Sequence, residues 1–488
     1  MRKGLNSGIC EGDVMREYLK FYIDGRWVDP IEVKTVNTVN PATEEISGTI
    51  ALGSAADVDK AVKAARKAFG TWSKTSREER IKVLERILVE YQKRTADLAA
   101  AVTEEMGAPK GLAGSFHIGL GAGHLSTAIE VLKNFKFEEQ RGGTLIVKEP
   151  IGVCGMITPW NWPINQVTVK VFPALAAGCT IVLKPSQESH FSAQILAEIF
   201  DAAAIPAGVF NLIQGKGSVV GVAMSAHSDI DMISITGSES AGIEVAKNAA
   251  STVKRVCQEL GGKSANIVLD DADFAKNVAK GVTGMMVNSG QTCSATSRML
   301  VPKARMNEAI AVAREATASV TVGDPRSDVA MGPVVSKAQF NSIQDYIHKG
   351  IGEGATLVAG GAGRPEGLTK GFYVKPTVFA NVTNNMVIAR EEIFGPVLTI
   401  IGYDSVDQAI QIANDSEFGL AGNVAGADLD KARAVARQIR AGWVSINDGF
   451  DFHAAFGGYK KSGNGREWGE FGLHEYLEIK SLLGYKPG

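Results

Sequence analysis

From residue 152 to about 242 the chain alternates short β-rich runs with helical stretches. GVCGMITP, TIVLKPS, NLIQG and MISITGS each end in Gly, Pro or Ser, and helical runs such as FSAQILAEIFDAA lie between them. Alternation of this kind needs crossover connections between parallel strands. It therefore predicts βαβ units in an α/β fold, with nucleotide-sized crevices beyond the strand C-termini. A second α/β region is expected from about Gly261, with strands near SANIVL, RMLVP and GATLVAGG.

Two helices are expected ahead of this core. SAADVDKAVKAARKAF from Ser54 opens with the S-x-x-D form of a capping box. SREERIKVLERILVEYQKRTADLAAAV from Ser76 opens with S-x-x-E and spaces Ile81, Leu84, Leu88 and Tyr91 by three and four, an amphipathic period. Both helices are expected to cover one face of a sheet. In FKFEEQRGGTLIVKEPIG, β-type residues flank Arg141-Gly142-Gly143 and predict a hairpin. The tail LHEYLEIKSLLGY mixes helix and strand signals, and an exposed strand there would need a partner.

A chain of 488 residues exceeds one hydrophobic core and implies about three domain-sized units. With 45% hydrophobic and 21% charged residues it reads as an ordinary globular protein. The net charge of −2 and the lack of any Lys/Arg block argue against nucleic acid and anionic membrane as partners. No apolar run is long enough to span a bilayer. Gly12 and Asp13 interrupt the N-terminal segment, so no signal peptide is expected. Met15 reads as a genuine start site, with residues 1–20 forming an N-terminal extension that is disordered ahead of Met15. Five cysteines at 10, 154, 179, 257 and 293, without CxxC spacing, point to a reducing cytoplasm. Seven scattered histidines without HExxH spacing give no support for a metal site.

Five places carry residue types suited to chemistry. In NSGQTCSATSR, Cys293 sits among small and hydroxylated residues, which leave room for a substrate and bare its backbone N–H. A thiolate there would be nucleophilic; taken alone, Cys293 reads as a buried small apolar side chain. Glu259 in QELGGKS ends a predicted strand beside a Gly-Gly turn and could activate water; as a lone glutamate it reads as exposed. Asn161 in TPWNWP is either an oxyanion-hole donor or a turn residue. Gly237-Ser238 follows MISIT and opens a helix that could hold a pyrophosphate, or is a plain glycine turn. Lys184 in LKPSQES could bond ribose hydroxyls, although by itself it reads as a solvated lysine.

Taken together and in order, TPWNWP, KPS, TGS, ELGGKS, GQTC, EEIFGP and FGGYKKSGNGRE strongly resemble the aldehyde dehydrogenase superfamily, from about FYIDGRWV at residue 21 to the C-terminus. The resemblance implies that Cys293 attacks the aldehyde carbon and that the Asn161 amide and the Cys293 N–H hold the oxyanion. Hydride passes to a nicotinamide, and Glu259 activates water to hydrolyse the thioester. Covalent catalysis of this sort divides one hard oxidation into two acyl steps. Lys170 and Glu467 match positions that pass protons to and from the base. Lys184 matches the adenosine-ribose contact, Ser238 the pyrophosphate contact and Glu392 the nicotinamide-ribose contact, with Phe394 near the nicotinamide ring. Thr158, Trp160, Ser186, Gln187, Gly217 and Gly237 complete the implied cofactor set. Gln187 stands where many NAD-preferring relatives carry glutamate. The expected cofactor is NAD with weakened discrimination, and NADP stays open.

The resemblance also implies an architecture: a Rossmann-type cofactor domain (21–126 and 151–259), a catalytic α/β domain (260–470) and a small oligomerisation element (127–150 and 471–488). A homodimer or homotetramer is expected. The implied substrate tunnel comprises Trp162, Asn165, Gln166, Val169, Thr292, Phe450, His453 and Phe456. It is mostly apolar and has no arginine clamp for a carboxylate. The expected substrate is a medium-length, aromatic or semialdehyde compound. Two other readings stand beside it. One is a CoA-acylating semialdehyde dehydrogenase, which the presence of Glu259 disfavours. The other is a non-catalytic binding protein on the same fold, which intact Cys293, Glu259 and Asn161 disfavour.

Overall fold

The computed structural model describes residues 15–485. The segment before Met15, with Cys10, lies outside the described residues. The expected N-terminal extension does not run to residue 20. Arg16–Tyr18 already form a strand parallel to Ile46–Ala51, and the Arg16 guanidinium pairs with Glu104 at 2.7 Å.

The alternating region forms the centre of an eight-stranded sheet. Its five parallel strands run, side by side, Arg255–Glu259, Met232–Thr236, Val153–Ile157, Thr180–Lys184 and Phe210–Leu212. Antiparallel strands close both edges: Phe21–Ile23 with Arg26–Val28 on one side and Gly463–Asn464 on the other. The central strands are buried on both faces, which explains their continuous apolar runs. Alternate residues feed two cores. Val153, Ile157, Val182 and Ile233 enter one, and Cys154, Met156, Ile181 and Leu183 the other.

The helix Ala55–Trp72 has the expected capping box between Ser54 and Asp57. The second predicted helix is two, Arg77–Lys93 and Thr95–Met106, divided at Arg94. The Arg94 guanidinium is held by Asp97 and Glu198, and the second piece packs along His190–Ala202. The two leading helices do not share a sheet face. Val58, Ala61, Val62 and Ala65 pack with the Val153 side, whereas Val83, Leu84, Ile87 and Tyr91 belong to the Cys154 side. Ile81 and Leu88 of the expected stripe are only half-buried, because Arg77–Lys93 leans on four other helices rather than on a flat sheet.

The second α/β region forms a seven-stranded sheet centred on Arg298–Pro302 and Ala265–Val268, parallel except at its Thr356–Ala359 edge. The hairpin Glu138–Arg141 and Thr144–Pro150 turns at Gly142-Gly143, and Leu477–Leu483 pairs along its second strand. This pairing satisfies one edge of the tail strand. Its side chains stay largely exposed, Ile479 at 69%.

One buried carboxyl ties the helical layer together. The helix His190–Ala202 has no side-chain cap of its own, and Glu105 from Thr95–Met106 accepts instead from Phe191 N at 2.7 Å and from Ser192 Oγ at 2.5 Å. Burial pushes the Glu105 pKa to about 8, from an ordinary value of 4.5. Its folded value is raised, so its contribution to stability is complete below about pH 4.5 and is lost as pH rises through about 8. Urea unfolding between pH 5 and 9 should show Glu105→Gln losing less stability over that window than the parent; equal slopes would refute it.

Candidate active site

The C-terminal ends of the five parallel strands carry most of the predicted residues, as expected for an open α/β sheet. Thr158, Trp160 and Asn161 follow Val153–Ile157; Lys184, Ser186 and Gln187 end or follow Thr180–Lys184; Gly217 lies after Phe210–Leu212; Gly237 and Ser238 follow Met232–Thr236; Glu259 ends its strand. Lys184 is buried rather than solvated. Its ammonium donates to the Pro185 and Gly215 carbonyls at 2.9 and 3.4 Å, and burial lowers its pKa to about 8. The Thr158 hydroxyl is buried without a partner. A Cβ built at Gly217 meets nothing within 4 Å, so this glycine borders open space, whereas one at Gly237 would make ordinary contacts with Ala241 and Ile235. Ser238 caps the helix Glu239–Ala249, accepting from Ala241 N at 3.3 Å. Trp160 meets Phe394 edge-on at 5.4 Å, and Gln339 holds the Phe394 carbonyl at 2.8 Å. Glu392 accepts from Gly262 N at 3.0 Å, and burial raises its pKa to about 7.

Cys293 comes from the second sheet's side, in the loop leading into Arg298–Pro302. It is half-buried, not sealed in a core. The approach to it is strained: Asn288, Ser289 and Gly290 all have φ between +55° and +70°. A Cβ at Gly290 would lie 2.2 Å from the Gly395 carbonyl oxygen, so this close approach requires glycine. Buried Gln291 accepts from Val335 N at 2.9 Å and donates to Asn288 O at 3.1 Å, fixing the loop just before the cysteine. Asn288 ties it to the other sheet by donating to the Asn161 carbonyl at 2.7 Å. Asn161 is buried, and its Oδ1 has no partner.

Glu259 faces Cys293 and is only 3% exposed, not the solvated glutamate that a lone reading suggests. Neither carboxylate oxygen has a well-formed hydrogen bond. Burial, then the negative charge of Glu467, push its pKa well above the carboxylate range, while Lys170 and the Cys293 contact pull it down. The Cys293 thiol is likewise pushed up, first by burial, then by Glu259 and Glu392, with the Ser294 N–H opposing. Lys170 is fully buried on the helix Pro163–Ala177, pairs with Glu467 and donates to Ser234 at 3.0 Å. Lys170 and Glu467 therefore stand within the electrostatic reach of Glu259.

Above Cys293 opens a cavity of about 570 Å³. Trp162, Asn165, Gln166, Thr292, Phe450 and Phe456 line it, and Val169 packs with Phe456 and Cys293 at its base. Trp162 donates to Thr292 Oγ1 at 2.9 Å. His453 does not line the cavity. A turn in which its own N–H donates to Asp451 carries its ring outward, 3.5 Å from Glu130. Sequence reasoning missed Phe116, Leu120, Trp443 and Trp468 in the walls, and the buried His117 and His124 behind them. His117 stacks on Trp162 with ring centroids 4.3 Å apart. Trp468 adjoins Glu467, which gave a local signal; the two histidines lie in a helical stretch with no motif. Among the described residues no cluster of His, Cys, Asp and Glu is arranged for a metal, and no helix is long and apolar enough to cross a membrane.

Residues 27–482 match the model of the aldehyde dehydrogenase family. A 3-succinoylsemialdehyde-pyridine dehydrogenase from a Pseudomonas species is 52% identical over 97% of this chain and 100% of its own length. A cysteine-to-alanine mutant of aldehyde dehydrogenase C from Pseudomonas syringae, solved with NAD+ and octanal, superposes with a TM-score of 0.95 at 52% identity, covering 96% of this chain and 97% of that one. An aldehyde dehydrogenase from Mycobacterium tuberculosis, solved with NAD+, gives 0.94 at 41% identity, covering 96% and 99%.

The electrostatics of the thiol lead to a direct test. Alkylation of Cys293 by iodoacetamide in the cofactor-free protein should rise with pH through a midpoint above that of an ordinary thiol. Glu259→Gln removes one of the charges that push the thiol up, so its midpoint should move to lower pH. A midpoint that stays put or moves upward would show that the carboxylate does not bear on the sulfur as described.

Proposed function

The chain belongs to the aldehyde dehydrogenase family, and we propose that it oxidises an aldehyde to the carboxylic acid through an acyl group carried on Cys293, using NAD+. The observation that carries this reading is a half-buried thiol on the floor of an apolar cavity with a buried, weakly solvated carboxylate opposite.

The Cys293 sulfur adds to the aldehyde carbon as its thiolate, the thiol proton having left to solvent, and the carbonyl oxygen gains the negative charge. The Asn161 amide and the Cys293 N–H stabilise that oxyanion. The hold of Asn288 on the Asn161 carbonyl keeps the two donors, which come from different sheets, in register. When bound, the nicotinamide supplies the acceptor for the hydride that leaves the same carbon. Collapse leaves a thioester on Cys293. Glu259 takes a proton from water, the water oxygen attacks the thioester carbon, and the C–S bond breaks to release the acid. The buried Lys170–Glu467 pair then relieves Glu259 of its proton. A base whose pKa is raised by burial is a stronger acceptor, at the cost of staying protonated to higher pH. A CoA-dependent release has no use for this base, and a non-catalytic role leaves its burial unexplained.

Open space at Gly217, the capped helix start at Ser238 and the buried ammonium of Lys184 support a dinucleotide lying across the strand ends. Thr158, Trp160, Ser186, Glu392 and Phe394 would complete its site. Half-buried Gln187 lacks the charge that would repel a 2′-phosphate, so NAD+ is used with weak discrimination against NADP+. The cavity walls suit a medium-length, aromatic or semialdehyde substrate.

The division into a cofactor domain (21–126, 151–259), a catalytic domain (260–470) and an oligomerisation element (127–150, 471–488) follows the family pattern. The exposed Ile479 and Leu483 on the tail strand support assembly into a homodimer or homotetramer. The four described cysteines are free, which supports a cytoplasmic setting.

Rapid mixing with aldehyde and NAD+ tests the chemistry. Glu259→Gln should release about one NADH per active site in a burst and then stall, with a thioester detectable by mass spectrometry. Cys293→Ser should give no burst. Steady turnover in Glu259→Gln, or CoA-dependent release in the parent, would refute the scheme. Gln187→Glu should raise the NAD+ over NADP+ preference in kcat/KM by roughly tenfold, the effect of about 1.4 kcal/mol; an unchanged ratio would remove Gln187 from the discriminating set.

A further inference from the structure

The apolar cavity contains two adjacent carboxamides, Asn165 and Gln166, at the start of the helix Pro163–Ala177. Both are more than nine-tenths buried, at 8% and 4% exposure. Asn165 Oδ1 lies 2.7 Å from His124 Nε2. Burial holds the His124 pKa near 4, so its ring is neutral at pH 7 and Nε2 carries the donated proton. Gln166 Oε1 is buried and has no partner. With both carbonyl oxygens turned into protein, these side chains offer the cavity their NH2 groups, which are donors.

The larger polar side chains elsewhere in the lining already have partners: Asn266 with Asn423, Asp448 with Lys280 and Glu467 with Lys170. Phe116, Leu120, Trp162 and Trp468 are apolar around this end. The nearest cation in the lining, Lys280, is already paired with Asp448 at 2.8 Å, and no arginine is among the described lining residues. A carboxylate brought here would lose its water without gaining a free counter-charge, which is costly. A neutral acceptor would satisfy the donors without that penalty, and its absence would leave them unpaired.

We propose that this cavity selects aldehydes carrying an uncharged hydrogen-bond acceptor along an otherwise apolar body, such as a ketone or amide oxygen or an aromatic ring nitrogen, and that Gln166 is the residue that makes the selection. The proposal rests on the aldehyde oxidation set out above and narrows its substrate class. An unsubstituted alkanal leaves the amides unpaired, and an aldehyde ending in a carboxylate strands a charge.

The test compares kcat/KM for octanal, 4-oxooctanal, 5-oxooctanal and 8-oxooctanoate in the parent, Gln166→Leu and Gln166→Met proteins. The parent should prefer at least one oxo-octanal over octanal by roughly tenfold, about what one added hydrogen bond of 1.4 kcal/mol supplies, and 8-oxooctanoate should be the poorest. Both variants should improve octanal and impair the oxo-octanals, inverting the order. Equal parent rates for octanal and the oxo-octanals would overturn the proposal. So would best activity on 8-oxooctanoate, or a variant that lowers every substrate alike. If no aldehyde yields NADH and Cys293 is never acylated, it is the oxidation itself that fails, a result distinct from a lost preference.

Discussion

Removing Glu259 from water while keeping it opposite a thiol is the constraint around which the remainder is arranged. A carboxylate with no hydrogen-bond partner cannot hold its charge cheaply in a protein interior. The fold answers with a buried ammonium, Lys170, placed by an entirely buried helix, and with a second carboxylate, Glu467, to balance it. The result is a carboxyl that holds its proton well above the ordinary carboxylate range. Burial sets the direction of the shifts at both Glu259 and Cys293, and the charges around them modify it.

The two reacting side chains belong to different sheets, so their registry is a packing problem. Glu259 is fixed by its strand, whereas Cys293 sits at the end of three consecutive left-handed residues. Such a loop stays put only when its surroundings over-determine it. Gln291, Asn288 and the close fit of Gly290 against Gly395 provide that, each through atoms with almost no freedom to move.

How much of this could be read from residues alone varied with the range of the forces involved. Strand ends were legible because each closes on Gly, Pro or Ser, and those turns carry most of the residues proposed to meet the cofactor. Capping at Ser54 and Ser76 was legible because it is local. The face presented by Arg77–Lys93 was not, since several helices press on it and the stripe through Ile81 and Leu88 is not the one buried deepest. Lys184, Glu259 and Cys293 each look ordinary in isolation, and only the ordered set of motifs assigned them roles. His453 was assigned to the tunnel by its place in the motif order alone, whereas its exposed ring lies 3.5 Å from Glu130 and outside the cavity lining. His117 and His124 gave no signal, because what matters about them is the absence of water around their rings.

The short strand Gly463–Asn464 leaves the second α/β region and adds to the edge of the first sheet, beside the strand that ends in Glu259. Three residues later comes Glu467. This stitch ties the two lobes together at the point where they meet. Any swing of one against the other would have to break backbone pairing directly beside Glu259, so opening the molecule there would also unseat the carboxylate.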